Sequence, residues 1–179
     1  AIKVYRQGVK NNPQNSNYLF ALASALEAQN KWLRASNNYQ QAAKLEPSAR
    51  VYYHWGLVDY KRQEYDQARS HLKQAAELEP SAKIYYYWGL TCFKLQEYDE
   101  AESCWKYEIA IKPNYALPYY QLGRLWQNQQ QWQQAISAYR QAISIKPEFV
   151  LALSKLGAVY RPLQQFDLAI SCLRQAIEY

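Results

Sequence analysis

Two histidines (His54 and His71) and three cysteines (Cys92, Cys104 and Cys172) are the side chains best suited to covalent or metal chemistry. Nucleophilic catalysis needs a serine or cysteine with a base in reach, and no serine or cysteine has a histidine partner at helical spacing. His71, Cys104 and Cys172 fall at one position of a repeating frame, a repeat or more apart, too far to share a metal ion. The carboxylates Asp66, Asp99 and Glu100 belong to turns and helix starts, where negative charge offsets the helix dipole. Neither a catalytic set, a metal site nor a cofactor is expected. What stands out instead is aromatic. Tyr85-Tyr86-Tyr87-Trp88-Gly89-Leu90 repeats Tyr52-Tyr53-His54-Trp55-Gly56-Leu57, and a diluted form returns as Tyr119-Tyr120-Gln121-Leu122-Gly123-Arg124. Aromatic rings interleaved with cations suit the recognition of an acidic, extended partner.

Composition is compatible with this. With 179 residues, 49% hydrophobic and 20% charged, the chain can bury a real core. Apolar runs stay well short of a membrane span, and the amino terminus lacks a charged-then-apolar leader pattern. An odd number of cysteines with no paired spacing favours reduced thiols and a cytoplasmic setting. The net charge of +6 points to an acidic partner without specifying its class.

Prolines at 13, 47, 80, 113 and 147 each end an apolar helical run and stand a fixed distance before a small residue at 23, 56, 89, 123 and 157. Apolar residues at helical spacing mark one stripe on the first helix of each pair, and the small residue lets the second helix approach. Tyr52, Trp55, Gly56, Ala68, Leu72, Ala75 and Pro80 illustrate the pattern; Tyr119, Leu122, Gly123, Trp126, Ala135, Tyr139, Ala142 and Pro147 repeat it. All six tryptophans fall at such positions and are expected in the core, as are Tyr5, Tyr39, Tyr52, Tyr65, Tyr85, Tyr98, Tyr119, Tyr139 and Tyr160. Glu108 stands where other repeats have a small residue, and is expected to rotate outward. Asp59 takes a usually aromatic position, and Pro162 should end or kink its helix early.

This frame resembles the tetratricopeptide repeat along the whole chain. The resemblance implies an all-α, right-handed α-solenoid of antiparallel helix pairs. Residues 1–15 would be the second helix of a preceding partial repeat; 16–48, 49–81, 82–115 and 116–149 would be full repeats, and 150–179 a truncated one. The truncated ends suggest part of a longer array, with end-to-end self-association as an expectation.

In proteins similar to this, the first helix of each pair lines a concave groove. Phe20, Tyr53, Tyr60, Tyr86, Tyr87, Phe93 and Tyr120 would then supply rings, with His54 beside them. Arg50, Lys61, Lys83, Lys94, Arg124, Lys155 and Arg161 would supply positive charge, against Glu27 as the one acid. Phe20, Tyr53, Tyr86 and Tyr120 recur at a single position and should form a ladder. The two-carboxylate clamp of chaperone-binding relatives does not carry over, because rings replace its first lysine. The favoured reading is a non-enzymatic interaction scaffold that binds an extended, acidic peptide. Alternatives are the recognition array of a larger enzyme such as a glycosyltransferase, a self-assembly module and, less favoured, a single-stranded nucleic-acid binder.

Overall fold

The computed structural model describes residues 2–179, and the described residues are helical throughout, with no strand. They form two compact units, one ending at Glu97 and one running from Tyr98 to Tyr179. In the first, α1 (Ile2–Asn11) precedes the pair α2 (Ser16–Glu27) and α3 (Trp32–Leu45), the pair α4 (Ala49–Lys61) and α5 (Tyr65–Leu78), and finally α6 (Ala82–Lys94). In the second, α7 (Tyr98–Ile111) precedes the pairs α8 (Ala116–Asn128) with α9 (Trp132–Ile145), and α10 (Val150–Tyr160) with α11 (Phe166–Glu178). Within each unit, every helix packs chiefly on its neighbours in sequence, the contact pattern of an α-solenoid of helix pairs.

Local chemistry sets the helix ends. Asn15 and Ser48 cap α2 and α4 by accepting from the backbone N–H of Tyr18 and Val51. The turn inside each pair is a Schellman closure made without glycine. Asn30, Gln63, Gln96, Gln130 and Gln164 all adopt positive φ, between 57° and 64°. The following N–H then reaches five residues back, as in Glu64 to the Asp59 carbonyl at 2.9 Å and Gln131 to that of Trp126 at 2.8 Å. α10 stops at Tyr160, two residues before Pro162, and is shorter than α4, α6 and α8.

Within each pair the small residue lies against one large side chain of the second helix. A Cβ on Gly56 would stand 2.7 Å from Leu72, and one on Gly123 would stand 2.5 Å from the Tyr139 ring. Leu72 and Tyr139 are fully buried, so neither can move aside. Of the tryptophans, only Trp105 is fully enclosed; Trp32, Trp55, Trp88, Trp126 and Trp132 are half-buried.

Two carboxylates are buried in the interior, Asp59 and Glu108. Asp59 is fully buried and pairs with His71 Nδ1 at 2.7 Å, with Arg62 3.9 Å away on the same helix. His71 in turn stacks on Trp55, the ring centroids 3.7 Å apart. The departure from the frame at Asp59 thus has its partner on the second helix of the same pair. The expectation that Glu108 turns outward is wrong: its side chain is 1% exposed. Its position on α7 faces inward whichever residue stands there, and the chain is too short to escape to water. Burial instead drives its pKa up to about 8, slightly opposed by Lys112.

Two outcomes follow for stability. Gly123→Ala should cost about 1–2 kcal/mol, overpacking against Tyr139 outweighing the helix-propensity gain. Gly157→Ala, whose Cβ would meet the more exposed Leu173 at 3.1 Å, should stay within about 0.5 kcal/mol of the parent. Urea titration of both variants checks the contrast. Glu108 binds its proton more tightly in the fold than in the unfolded chain. Its stabilising protonation is complete below the ordinary glutamate pKa and is lost as the pH rises toward about 8. Glu108→Ala should therefore flatten the fall in stability across that window and raise Tm at pH about 8. Thermal melts of both proteins over the same pH series read it out.

Candidate functional site

In the first unit α2 lies beside α4, and α4 beside α6, so the first helices of successive pairs form a continuous face. On α4 and α6 that face carries a cluster of rings. Tyr87 is the centre, with Tyr86 at 5.1 Å, Tyr53 at 6.0 Å and Tyr60 at 6.3 Å between centroids, each in an edge-to-face arrangement. Each of these contacts is worth roughly 0.5–1.5 kcal/mol beyond burial, which fixes the ring orientations. All four rings are half-buried, as is Phe93, the penultimate residue of α6. Burial, followed by the nearby Tyr87 and Glu27, pushes the Tyr53 hydroxyl up to about 12, so it remains a neutral donor.

The cations of α4 and α6 are all exposed, and the two on α4 also engage neighbouring side chains. Arg50 lays its guanidinium over the Phe20 ring, 3.9 Å from the centroid. Lys61 bonds Glu27 at 3.1 Å and hangs 4.7 Å over Trp32. Lys83 and Lys94 are exposed at opposite ends of α6 and make no ion pair among the described residues. A cleft of about 160 Å³ opens between the first turns of α4 and α6, bordered by Arg50, Tyr53, Ser81, Lys83 and, from the loop, Glu79.

Glu27 is the acid of this face, and it is saturated. Its carboxylate accepts from the Tyr39 hydroxyl at 2.9 Å and from Lys61, and lies 3.4 Å from His54 Nδ1. Desolvation works against its charge, but the hydrogen bonds from His54, Tyr39 and Lys61 prevail and hold its pKa at about 2. His54 is also enclosed by Phe20, Tyr39 and Tyr53 rings at 5.3–6.0 Å. His54 therefore belongs to an internal network rather than to an open surface.

Phe20 and Tyr120 are buried rings. Phe20 packs on Tyr39 and His54; Tyr120, in the second unit, packs on Tyr139 at 5.9 Å and Phe149 at 5.1 Å. Arg124 donates to Gln121 Oε1 at 2.8 Å and stands 5.9 Å from the Tyr120 ring. Lys155 and Arg161 are exposed on and just beyond α10. Of the four rings expected to form a ladder, Tyr53 and Tyr86 are the half-exposed ones. Sequence position did not reveal the Glu27 network. Its one signal was a single acid among basic and aromatic positions.

Cys92 and Cys104 are buried thiols, and burial raises the pKa of Cys172. Among the described residues no helix is long and apolar enough to cross a membrane.

The Glu27 network makes a measurable contribution. The carboxyl is more acidic in the fold than in the unfolded chain, so its stabilisation is present above the ordinary glutamate pKa and lost as pH falls toward about 2. Glu27→Gln should cost about 2 kcal/mol at neutral pH, and the gap from the parent should narrow as the pH falls from about 4 toward about 2. Urea unfolding at several pH values measures both.

Family models match three stretches: "TPR repeat" at residues 127–163, "Tetratricopeptide repeat" at 151–179, and "Anaphase-promoting complex, cyclosome, subunit 3" at 46–106. No curated protein matches the sequence. Among solved structures, MamA is 26% identical with a TM-score of 0.84, over 88% of this chain and 93% of that one. MamA from Desulfovibrio magneticus RS-1 is 19% identical with a TM-score of 0.85, over 91% and 93%. YrrB, described as a TPR protein with an unusual peptide-binding site, is 20% identical with a TM-score of 0.82, over 99% and 93%. With the repeating frame and the helix pairs already in view, these matches make the chain a tetratricopeptide repeat protein.

Proposed function

We propose that this protein is a non-catalytic interaction scaffold whose first unit binds an extended acidic peptide segment on the α4–α6 face. The observation that carries the reading is the Tyr53–Tyr60–Tyr86–Tyr87 cluster, half-exposed and bordered by cations. Rings held edge to face present an apolar, low-entropy platform with hydroxyl donors at the rim. Lysines at the rim add charge-assisted hydrogen bonds and speed encounter with an acidic chain. The saturation of Glu27 supports the same reading, because a partner's carboxylate meets little opposing charge there. Lys155 and Arg161, with Arg124, extend the positive character to the second unit. Three free thiols suit a reducing, cytoplasmic setting.

Removing a ring and reversing a charge should abolish capture while leaving the frame intact, since both side chains are outside the core. Tyr86→Ala with Lys94→Glu should melt within a few degrees of the parent and lose a bound protein by at least tenfold in nuclease-treated affinity capture. Equal capture by both proteins would remove the α4–α6 face from function. Capture abolished by nuclease alone would assign the face to a nucleic acid instead.

A further inference from the structure

Helix α6 places Lys83 and Lys94 eleven residues apart. At ~1.5 Å and ~100° per residue, that is about 16 Å along the axis and within about 20° of the same direction. Between them, within about 60° of the Lys83 direction, lie Tyr86 and Tyr87, with Tyr53 and Tyr60 of α4 against Tyr87. α4 repeats the arrangement with Arg50 and Lys61, but both of those are occupied, Arg50 by Phe20 and Lys61 by Glu27. All four side chains are exposed, but those of α4 already engage Phe20 and Glu27, which leaves the two on α6, one beyond each end of the rings.

We infer that this face reads one ligand pattern: two acidic side chains of a single extended peptide, bracketing an apolar stretch, with the peptide running along α6. One carboxylate would lie on Lys83, at the cleft it shares with Arg50, and the other on Lys94; the intervening residues lie across the tyrosines. The inference rests on the function proposed above and adds direction and register to it. An extended chain advances ~3.3 Å per residue, so acids about four to six residues apart match the lysines. A peptide running across the helices would instead meet Arg50 and Lys83, on helices ~10 Å apart, and would favour acids about three residues apart. Glu79 borders the Lys83 end and is outnumbered there by Arg50 and Lys83.

Fluorescence anisotropy with labelled synthetic peptides and the intact protein tests this. The probes are peptides of about twelve residues whose two glutamates stand about one, three, five or nine positions apart in a proline–leucine–serine background. The spacing of about five should bind about tenfold more tightly than the shortest or longest. Lys83→Ala and Lys94→Ala should each erase that advantage, and Lys61→Ala should leave it in place. Affinity that is independent of spacing, or best at about three, yet weakened by Tyr86→Ala, overturns the lane and leaves the ring face as the binding site. Binding by none of the peptides, or binding indifferent to Tyr86, Lys83 and Lys94 alike, overturns both.

Discussion

The closest approach between the two helices of a pair governs what every other side chain can do. Gly56 against Leu72 and Gly123 against Tyr139 leave no room for even a methyl group. Packing at that density fixes rotation as well as separation. Once the small residue faces the second helix, helical phase sends the residues on either side of it in set directions. Tyr52 and Trp55 stack on His71 of α5, while Tyr53 and Tyr60 reach the Tyr87 ring of α6. The same sorting in α6 sends Tyr85 and Trp88 inward and leaves Tyr86 and Tyr87 beside the rings of α4. A face rich in tyrosine is thus a by-product of the frame that chemistry could then use.

Charge obeys the same geometry with different consequences. Asp59 finds His71 across the pair, its carboxylate 2.7 Å from the ring Nδ1 in a dry place. Glu27 collects three donors and holds its charge at the edge of the ring face. Glu108 has no such donor for Oε2 and accepts the alternative, which is to keep its proton. Three acids at inward positions thus show three solutions to one desolvation problem. Glu27 is the one with functional reach, since it pairs with Lys61, a cation of the face.

Much of the fold was legible because it is periodic. Proline and small-residue spacing marked every helix pair, and Pro162 correctly announced a short α10. The turn residues were legible only as to place; nothing in Gln63 or Gln96 announces positive φ, which the Schellman closure imposes on them. The site was legible in part. Position alone nominated Tyr53, Tyr60, Tyr86 and Tyr87, but it nominated Phe20 and Tyr120 equally, and both are buried by local neighbours. Phe20 is covered by Arg50 and His54, and Tyr120 by Phe149, residues outside the shared pattern. Glu108 was misjudged because a residue's polarity suggested outward rotation where helical phase allowed none.

The central claim is that the α4–α6 face, and not the outer helices, meets the partner. Amide chemical-shift mapping with a glutamate-bracketed proline–leucine peptide tests it most directly. The account predicts shifts confined to α4, α6 and the Ser81–Lys83 turn, centred on Tyr87, with α3 and α5 unchanged except at buried contacts. Shifts centred on the outer surfaces of α3 and α5, with Tyr53, Tyr86 and Tyr87 silent, would contradict it.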